Sequence, residues 1–565
     1  MATIENTQEH IPVSWSVYKK IAFRITFIFF ILVSIPLSTG WYKNLASIDW
    51  TRPHYRDIYD IARYGTNVPS LFGSSGRQAG SEDGEATAAK APKKRSDSKL
   101  AEKRAATVKG QEDPQAAELA QLSRKRTWYG DYASWGNALV LAVIGGLIWT
   151  LLDRKRASYN VLYYWLTVIV RFRAAIGIIG FGFTKLFPTQ MPFPSLGLLN
   201  TDFGDFTSQK IYWLSVGIVP WYQVFGGVVE LLAGALLFFK KTATFGAILL
   251  IGALGDITFV NYAYDGGVHV YAFYFVLLGS FVIAADVPRL YNLLILERYT
   301  VPHFYYPDYS KPAYKYIRFG LKALVILIFF GVLTYTEVIN FKYDPYKQPA
   351  TAGLKTLRGN YNVTEFKING QEIPYSPLDS VRWKEATFEK WTTLTFRVNK
   401  PVVVDPSNGG GSPMRDIQRT FEIAGTAGGQ RAFHYYADTV ERVLYLQDKN
   451  AVAARSKDPG NLDGSKSVVN DKKNDKWITD AAWKNIGDEN KFIHPAAWST
   501  RRDREFAKPE RSINRAKMIL KYSTTDGSRV ILTGLNENKD SIYVVLDKRN
   551  RKYVLPESTL SAGKY

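Results

Sequence analysis

Apolar residues in this chain are bunched. Long runs with few or no charges alternate with strongly charged stretches, a pattern that a water-soluble core has no use for. Seven runs hold close to the ~20 mainly apolar residues needed to cross ~30 Å of hydrocarbon. They lie near 21–42, 135–152, 161–187, 211–239, 243–264, 268–287 and 316–338. The expected fold class is a multi-pass α-helical membrane protein. Residues 1–20 are mostly polar, and the apolar stretch Ile21–Leu37 is longer than the core of a secretory signal, so 21–42 reads as a retained anchor.

The basic residues then sort the loops. Lys19 and Lys20 flank the first run, Arg154, Lys155 and Arg156 follow the second, and Lys240 and Lys241 separate the fourth from the fifth. Arg289, Arg298, Lys311 and Lys315 precede the seventh, whereas the alternate loops carry Asp202, Asp205 and Asp265. Positive loops stay inside. The expectation is a bacterial inner (cytoplasmic) membrane protein with its N-terminus cytoplasmic and its C-terminal domain periplasmic. Lys plus Arg number 72 against 51 Asp plus Glu, a formal charge of +21. That surplus is spread along the chain, which suits a lipid bilayer as partner and argues against nucleic acid. The chain has no cysteine. Disulfides, thiolate metal sites and iron–sulfur clusters are thereby excluded, and no other metal-ligand spacing is present.

Two sizeable regions fall outside the membrane on this reading. The loop 43–134 contains a Gly-, Ser-, Ala- and charge-rich stretch, 74–123, expected to be disordered. Its flank DWTRPHYRDIYDIARYG places Ile58, Tyr59, Ile61, Ala62 and Tyr64 where a short amphipathic helix would lie on the bilayer surface. The tail 345–565 reads as mainly β, a sandwich or small barrel. YNVTEFKING, ATFEKWTTLTFRVNKPVVVD, RVLYLQD, RVILTGL and SIYVVLD are its strand-rich segments, NENKD is a hairpin connection, and 448–515 is a polar insertion.

Charges inside hydrocarbon are costly and are candidates for function. Counting 1.5 Å per residue from the ends of the apolar runs puts Arg171, Arg173, Glu230, Asp256 and Asn261 in one intramembrane polar cluster. At most one of the two arginines, which point to different sides of their helix, would pair with Glu230. Lys185, Asp265 and His269 fall near the outer mouth. The plainer alternative is that such charges only orient helices. Gly177, Gly180, Gly182, Gly226, Gly227 and Gly234 allow close helix approach. Tyr163, Tyr164, Trp165, Tyr212, Trp213, Trp221 and Tyr222 read as interfacial belts.

VRFRAAIGIIGFGFTKLFP followed by FGGVVELLAGALLFFKKTATFGAILLIGALGDITF resembles the DoxX-like membrane proteins. The elements that carry the resemblance are Arg171 or Arg173, Gly182 with Lys185, Glu230 with Gly234, and Lys241 with Thr242. It covers about 161–290, and the second Gly of the family's Glu–x–x–Gly–Gly stretch is Ala233 with Gly234 here. The resemblance implies a four-helix bundle in the bacterial cytoplasmic membrane. Some relatives are linked to quinone-dependent oxidation, so a quinone is the one cofactor it leaves open. The expected function is an accessory or scaffold subunit of a membrane complex, more a non-catalytic component than an enzyme, whose periplasmic β domain binds a membrane or periplasmic protein partner. A quinone-linked oxidoreductase subunit and a small-solute or ion transporter are the alternatives.

Overall fold

The computed structural model describes residues 14–64, 68, 132–301, 307, 311–345, 347–400, 402, 404–405, 407–450, 477–507, 515–558 and 560. The stretch 74–123 expected to be disordered lies outside them. Thirteen helices are described. They are α1 (Val17–Ser34), α2 (Thr39–Ala46), α3 (Tyr55–Ala62), α4 (Ala133–Leu152), α5 (Asn160–Leu186), α6 (Ser208–Gly217) and α7 (Pro220–Leu237), then α8 (Ala243–Ala263), α9 (His269–Ala284), α10 (Val287–Leu294), α11 (Pro312–Tyr343), α12 (Asp480–Ile486) and α13 (Thr500–Ala507). Five of these, α4, α5, α7, α8 and α11, are long and apolar enough to span a membrane, and seven spans result if the bent pairs α1–α2 and α9–α10 each count as one. The expected fourth span, 211–239, is in fact broken. Pro220, which lacks an N–H and fits the first turn of a helix, starts α7 afresh after Ile218 and Val219.

Helices α5, α7, α8 and α9 close a ring of four, each packed on its neighbours, while α1 packs on α4 and α5. Small residues set the spacing. A Cβ on Gly227 would sit 2.5 Å from the Leu186 backbone nitrogen and 2.7 Å from the Gly182 carbonyl oxygen, and one on Gly234 would strike Ile179 and Ile178. Close backbone approach of this kind is how helices pack where lipid removes any hydrophobic drive. The basic loops share one end of the bundle. Lys20 Nζ donates to the Arg156 carbonyl (3.0 Å), Lys240 lies 5.4 Å from the Tyr164 ring, and Thr244 donates to Asp286 (2.5 Å).

At the other end sits the C-terminal β domain. Its strands are β1 (Gly359–Ile368), β2 (Gln371–Glu372), β3 (Glu385–Phe388), β4 (Thr393–Arg397), β5 (Gln430–Asp438), β6 (Val443–Asp448), β7 (Lys517–Ser523), β8 (Arg529–Leu535) and β9 (Ser541–Lys548). β1 and β3 to β9 form an antiparallel meander that β9 closes onto β1, an eight-stranded barrel, with β2 folded back on β1 through Asn369 and Gly370. Both turn residues have positive φ (49° and 79°), as a two-residue hairpin requires. β7 alternates exposed and buried positions throughout, so one face of the strand is core and the other solvent. The interior is filled: Trp383 stacks on Phe396 at 3.8 Å, Phe396 on Phe433 at 5.5 Å, and Leu394, Leu444, Leu520 and Leu546 are fully buried beside them.

Three segments fasten barrel to bundle. The first is α3. It does not lie on the bilayer surface as its amphipathicity suggested. Tyr55, Ile58, Tyr59 and Ala62 are 0–3% exposed because the helix is wedged between the bundle and the barrel, with Tyr59 against Gly180. The second is the polar insertion, whose described part carries α12 and α13. Arg501 pairs with Asp57 (3.4 Å) and Asp60 (2.8 Å) of α3, and Thr500 donates to Asp49 (2.9 Å). The third is the loop 187–207, where Arg397 of β4 pairs with Asp202 (2.7 Å) and Asp205 (3.2 Å).

The same loop is held by Glu389, which is 1% exposed and accepts from Ser195 Oγ (2.8 Å), Leu196 N (3.0 Å) and Gly197 N (2.8 Å). Burial, aided by Glu422, pushes the Glu389 carboxyl up to about 7, further than these donors pull it down. The folded protein therefore binds this proton more tightly than the unfolded chain, whose carboxyl titrates near ~4.3. The contribution is complete below that value and is lost as pH rises through 7. The stability of the barrel–bundle junction should fall between pH 5 and 8 by an amount on the order of 3 kcal/mol. Glu389→Gln should flatten that slope in thermal unfolding of the detergent-solubilised protein, and a variant with the wild-type slope would contradict the assignment.

Candidate functional site

Where α5, α7, α8 and α9 meet the loop after α5, they enclose a cavity of about 60 Å3. Ile178, Phe181, Leu254, Ile257 and Phe275 give its apolar wall, and Lys185, Gln190, Glu230, Asn261, Tyr212 and Tyr271 its polar one. Lys185 Nζ lies 2.5 Å from Glu230 Oε1, with the lysine side chain 15% and the glutamate 2% exposed. Gln190 lies in a bend beside Met191, whose N–H and carbonyl are both bonded by the Gln223 side chain at 3.1 Å. The Gln190 Oε1 is buried and has no hydrogen-bond partner. The cavity thus presents an ammonium donor, a carboxylate and an amide acceptor in an aromatic setting. Its volume has room for a few water molecules.

The residues expected in one intramembrane cluster are not gathered in one layer. Gly227 packs on Gly182 and Gly234 on Ile178 and Ile179, so Glu230 lies between those levels of α5. Arg171 is then roughly eight residues, ~12 Å, nearer the basic end, and Lys185 reaches down from the other side to take Glu230. The expected Arg–Glu pairing gives way to a Lys185–Glu230 pair because α7 ends level with Phe172, where Phe238 packs at 5.2 Å, while α5 begins further out at Asn160, so equal counts from the two helix ends are not equal depths. Arg173 turns to α3: it donates to the Ala62 (2.9 Å) and Tyr64 (3.0 Å) carbonyls and stacks 4.0 Å from the Tyr64 ring. Asp256 is exposed on the outward side of α8. Asn261 lines the cavity and donates to the Ile257 carbonyl (2.8 Å).

Of the residues placed at the outer mouth, only Lys185 lines the cavity. Asp265 is exposed in the turn between α8 and α9 with φ of 53°, and His269 is buried between the rings of Tyr132 (6.2 Å) and Tyr262 (6.0 Å). Sequence reasoning missed Gln190 and Gln223, and it placed Tyr212 and Trp213 in an interfacial belt. Gln223 was the available signal, an uncharged polar side chain in the otherwise apolar WYQVFGGVV. Among the described residues, no group of three or more His, Cys, Asp or Glu side chains is placed to hold a metal.

The fold defines a multi-pass helical membrane protein that carries an eight-stranded barrel on one end of its bundle. Comparison with protein-family models, with curated proteins and with solved structures finds no match.

Removing one member of a buried ion pair strands the other charge and costs ~3–5 kcal/mol, whereas replacing both with apolar residues costs far less. Lys185→Met and Glu230→Leu should each lower the melting temperature strongly, and the double variant should recover most of that loss. A double variant as unstable as the sum of the singles would show that the two side chains do not act as a pair.

Proposed function

We propose that this chain is an accessory or scaffold component of a membrane complex, in which a DoxX-like bundle in a bacterial cytoplasmic membrane holds the barrel out to a protein partner. On this reading the basic end of the bundle faces the cytoplasm and the barrel the periplasm, following the sorting of Lys and Arg. The observation that carries the reading is the junction. Barrel, α13 and the loop 187–207 are fixed to the bundle by buried charges, among them Asp344 with Arg419 (2.9 Å) and Arg502. A domain with a packed interior and a fixed orientation is suited to presenting its outer surface.

The test is cross-linking in intact membranes followed by affinity purification of the full chain in mild detergent. A stoichiometric protein partner is expected, with cross-linked peptides falling in the barrel. A chain that purifies alone after cross-linking, or whose cross-links fall only on lipid-facing helices, would contradict the proposal.

A further inference from the structure

Helix α8 packs on α7 along one side and on α9 along another, and its third side is open. Phe245, Ile248, Gly252, Asp256, Phe259 and Tyr262 are exposed there, at intervals of three or four residues that place them on one helical face. Asp256 stands thirteen residues from Ala243 and seven from Ala263, so it lies roughly 20 Å and 10 Å from the two ends of the span. Its carboxylate is carried on a single methylene and does not reach water or headgroups from that depth. A carboxylate that faces hydrocarbon is unfavourable until something pairs with it. Other charges within the spans are paired inside the protein: Glu230 has Lys185 (2.5 Å), and Arg173 has the carbonyls of Ala62 (2.9 Å) and Tyr64 (3.0 Å). Asp256 has no hydrogen bond or ion pair among the described residues.

Glycines mark the same stretch of helix. A Cβ on Gly252 or Gly255 would meet nothing within 4 Å, whereas one on Gly246 of the same helix would lie 2.9 Å from Leu236. Glycine weakens a helix relative to alanine. At Gly246 close packing within the chain offsets that loss. At Gly252 and Gly255 nothing in this chain does, and an open backbone of this kind is what a neighbouring membrane helix packs against.

We propose that this face of α8 is the docking surface for a transmembrane helix of a different protein, whose lysine or arginine meets Asp256 while its backbone packs on Gly252 and Gly255. Charge complementarity selects that occupant. Acyl chains offer a carboxylate nothing, whereas a basic side chain in the partner's apolar stretch needs an acid at this depth as much as Asp256 needs a base. A second copy joined through α8 on a two-fold axis would set Asp256 against Asp256, and like charges repel. The basic residues on the open half of α11 are at the wrong depth for a second copy to use them. Lys322 Nζ lies 3.6 Å from the Phe239 ring, at the level where α8 begins, and Lys315 and Arg318 precede it on the same helix. The inference requires only that α8 spans a bilayer, and it holds whether or not the barrel meets a partner of its own.

The experiment is site-specific photo-cross-linking of the full chain in the membranes of its own cells. Benzoylphenylalanine replaces Ile248 or Phe259 on this face, or Leu147 on the exposed side of α4 as a control. Both α8 positions should give one discrete protein adduct, and the α4 position should not. The cross-linked peptide, sequenced by mass spectrometry, should be a transmembrane segment of another protein that contains Lys or Arg. Asp256→Asn and, separately, Gly252→Leu should each reduce the adduct about tenfold. Neither should lower the melting temperature of the purified chain, because Asp256 has no partner within it and a Cβ at 252 has open space. Asp256→Lys combined with an Asp in place of the partner's basic residue should restore the adduct. Lipid adducts alone, an adduct to a second copy of this chain, a cross-linked segment without a basic residue, or an adduct undiminished by Asp256→Asn would each overturn the proposal. The expected α8 adduct in a chain whose barrel captures no protein would support this inference and remove only the scaffold reading.

Discussion

Asp344 sits at the point where a membrane helix ends and a barrel domain begins, and the arrangement of the whole molecule turns on it. Its carboxylate is taken by Arg419 from the barrel side and Arg502 from α13, while Ser412 donates to the same group. Arg419 continues to the carbonyls of Met414 (3.2 Å) and Pro345 (3.2 Å), so backbone as well as side chain is fixed. Burial alone would favour the neutral acid, yet the two guanidinium groups hold the Asp344 carboxyl well below the usual carboxylate range. Such a network adds little net stability over an apolar contact of the same volume, but it accepts only one geometry. Here that geometry sets how the barrel stands on the bundle.

Inside the bundle a second rule operates. The charges do not gather on one another; each is drawn toward a different kind of partner. Lys185 meets Glu230 near the barrel end, Arg173 satisfies the open carbonyls at the end of α3, and Arg171 lies over the Phe172 ring at 5.7 Å. Arg24 follows suit, donating to Tyr159 (2.8 Å) and Thr150 (2.9 Å) at the basic end. Close packing at Gly182, Gly227 and Gly234 fixes the levels at which these side chains can meet. The cavity is what remains where aromatic side chains and the Lys185–Glu230 pair cannot fill the space between four helices.

Much of this was legible in residue order. Apolar run length located the helices to within a few residues, and most of the strand-rich segments named from β-branched and aromatic content became strands of the barrel. Less visible were features that depend on distant partners. The strand Gln430–Asp438 hides among glycine-rich neighbours, and Lys517–Ser523 is half basic or polar because one face is solvated. The polar insertion gave no periodic signal, since α13 is held by ion pairs of Arg501 to Asp57 and Asp60 and a hydrogen bond from Thr500 to Asp49, and α12, which sets Ala482 and Trp483 against β5, is too short to show a period. The intramembrane pairing is not legible in residue order because α5 and α7 do not end at the same level: Phe238, just past α7, meets Phe172, twelve residues into α5, so Glu230 stands nearer Lys185 than Arg171.

The chain contains no cysteine, so two introduced thiols form a unique label pair. Spin labels at Asn538 on the barrel turn and at Lys43 on α2, both exposed, report the distance between barrel and bundle in lipid nanodiscs by pulsed electron resonance. A barrel fixed by buried charges predicts one narrow distance distribution. A broad or multiple distribution in the otherwise native protein would mean that the barrel is tethered rather than docked, and the junction described here would lose its role.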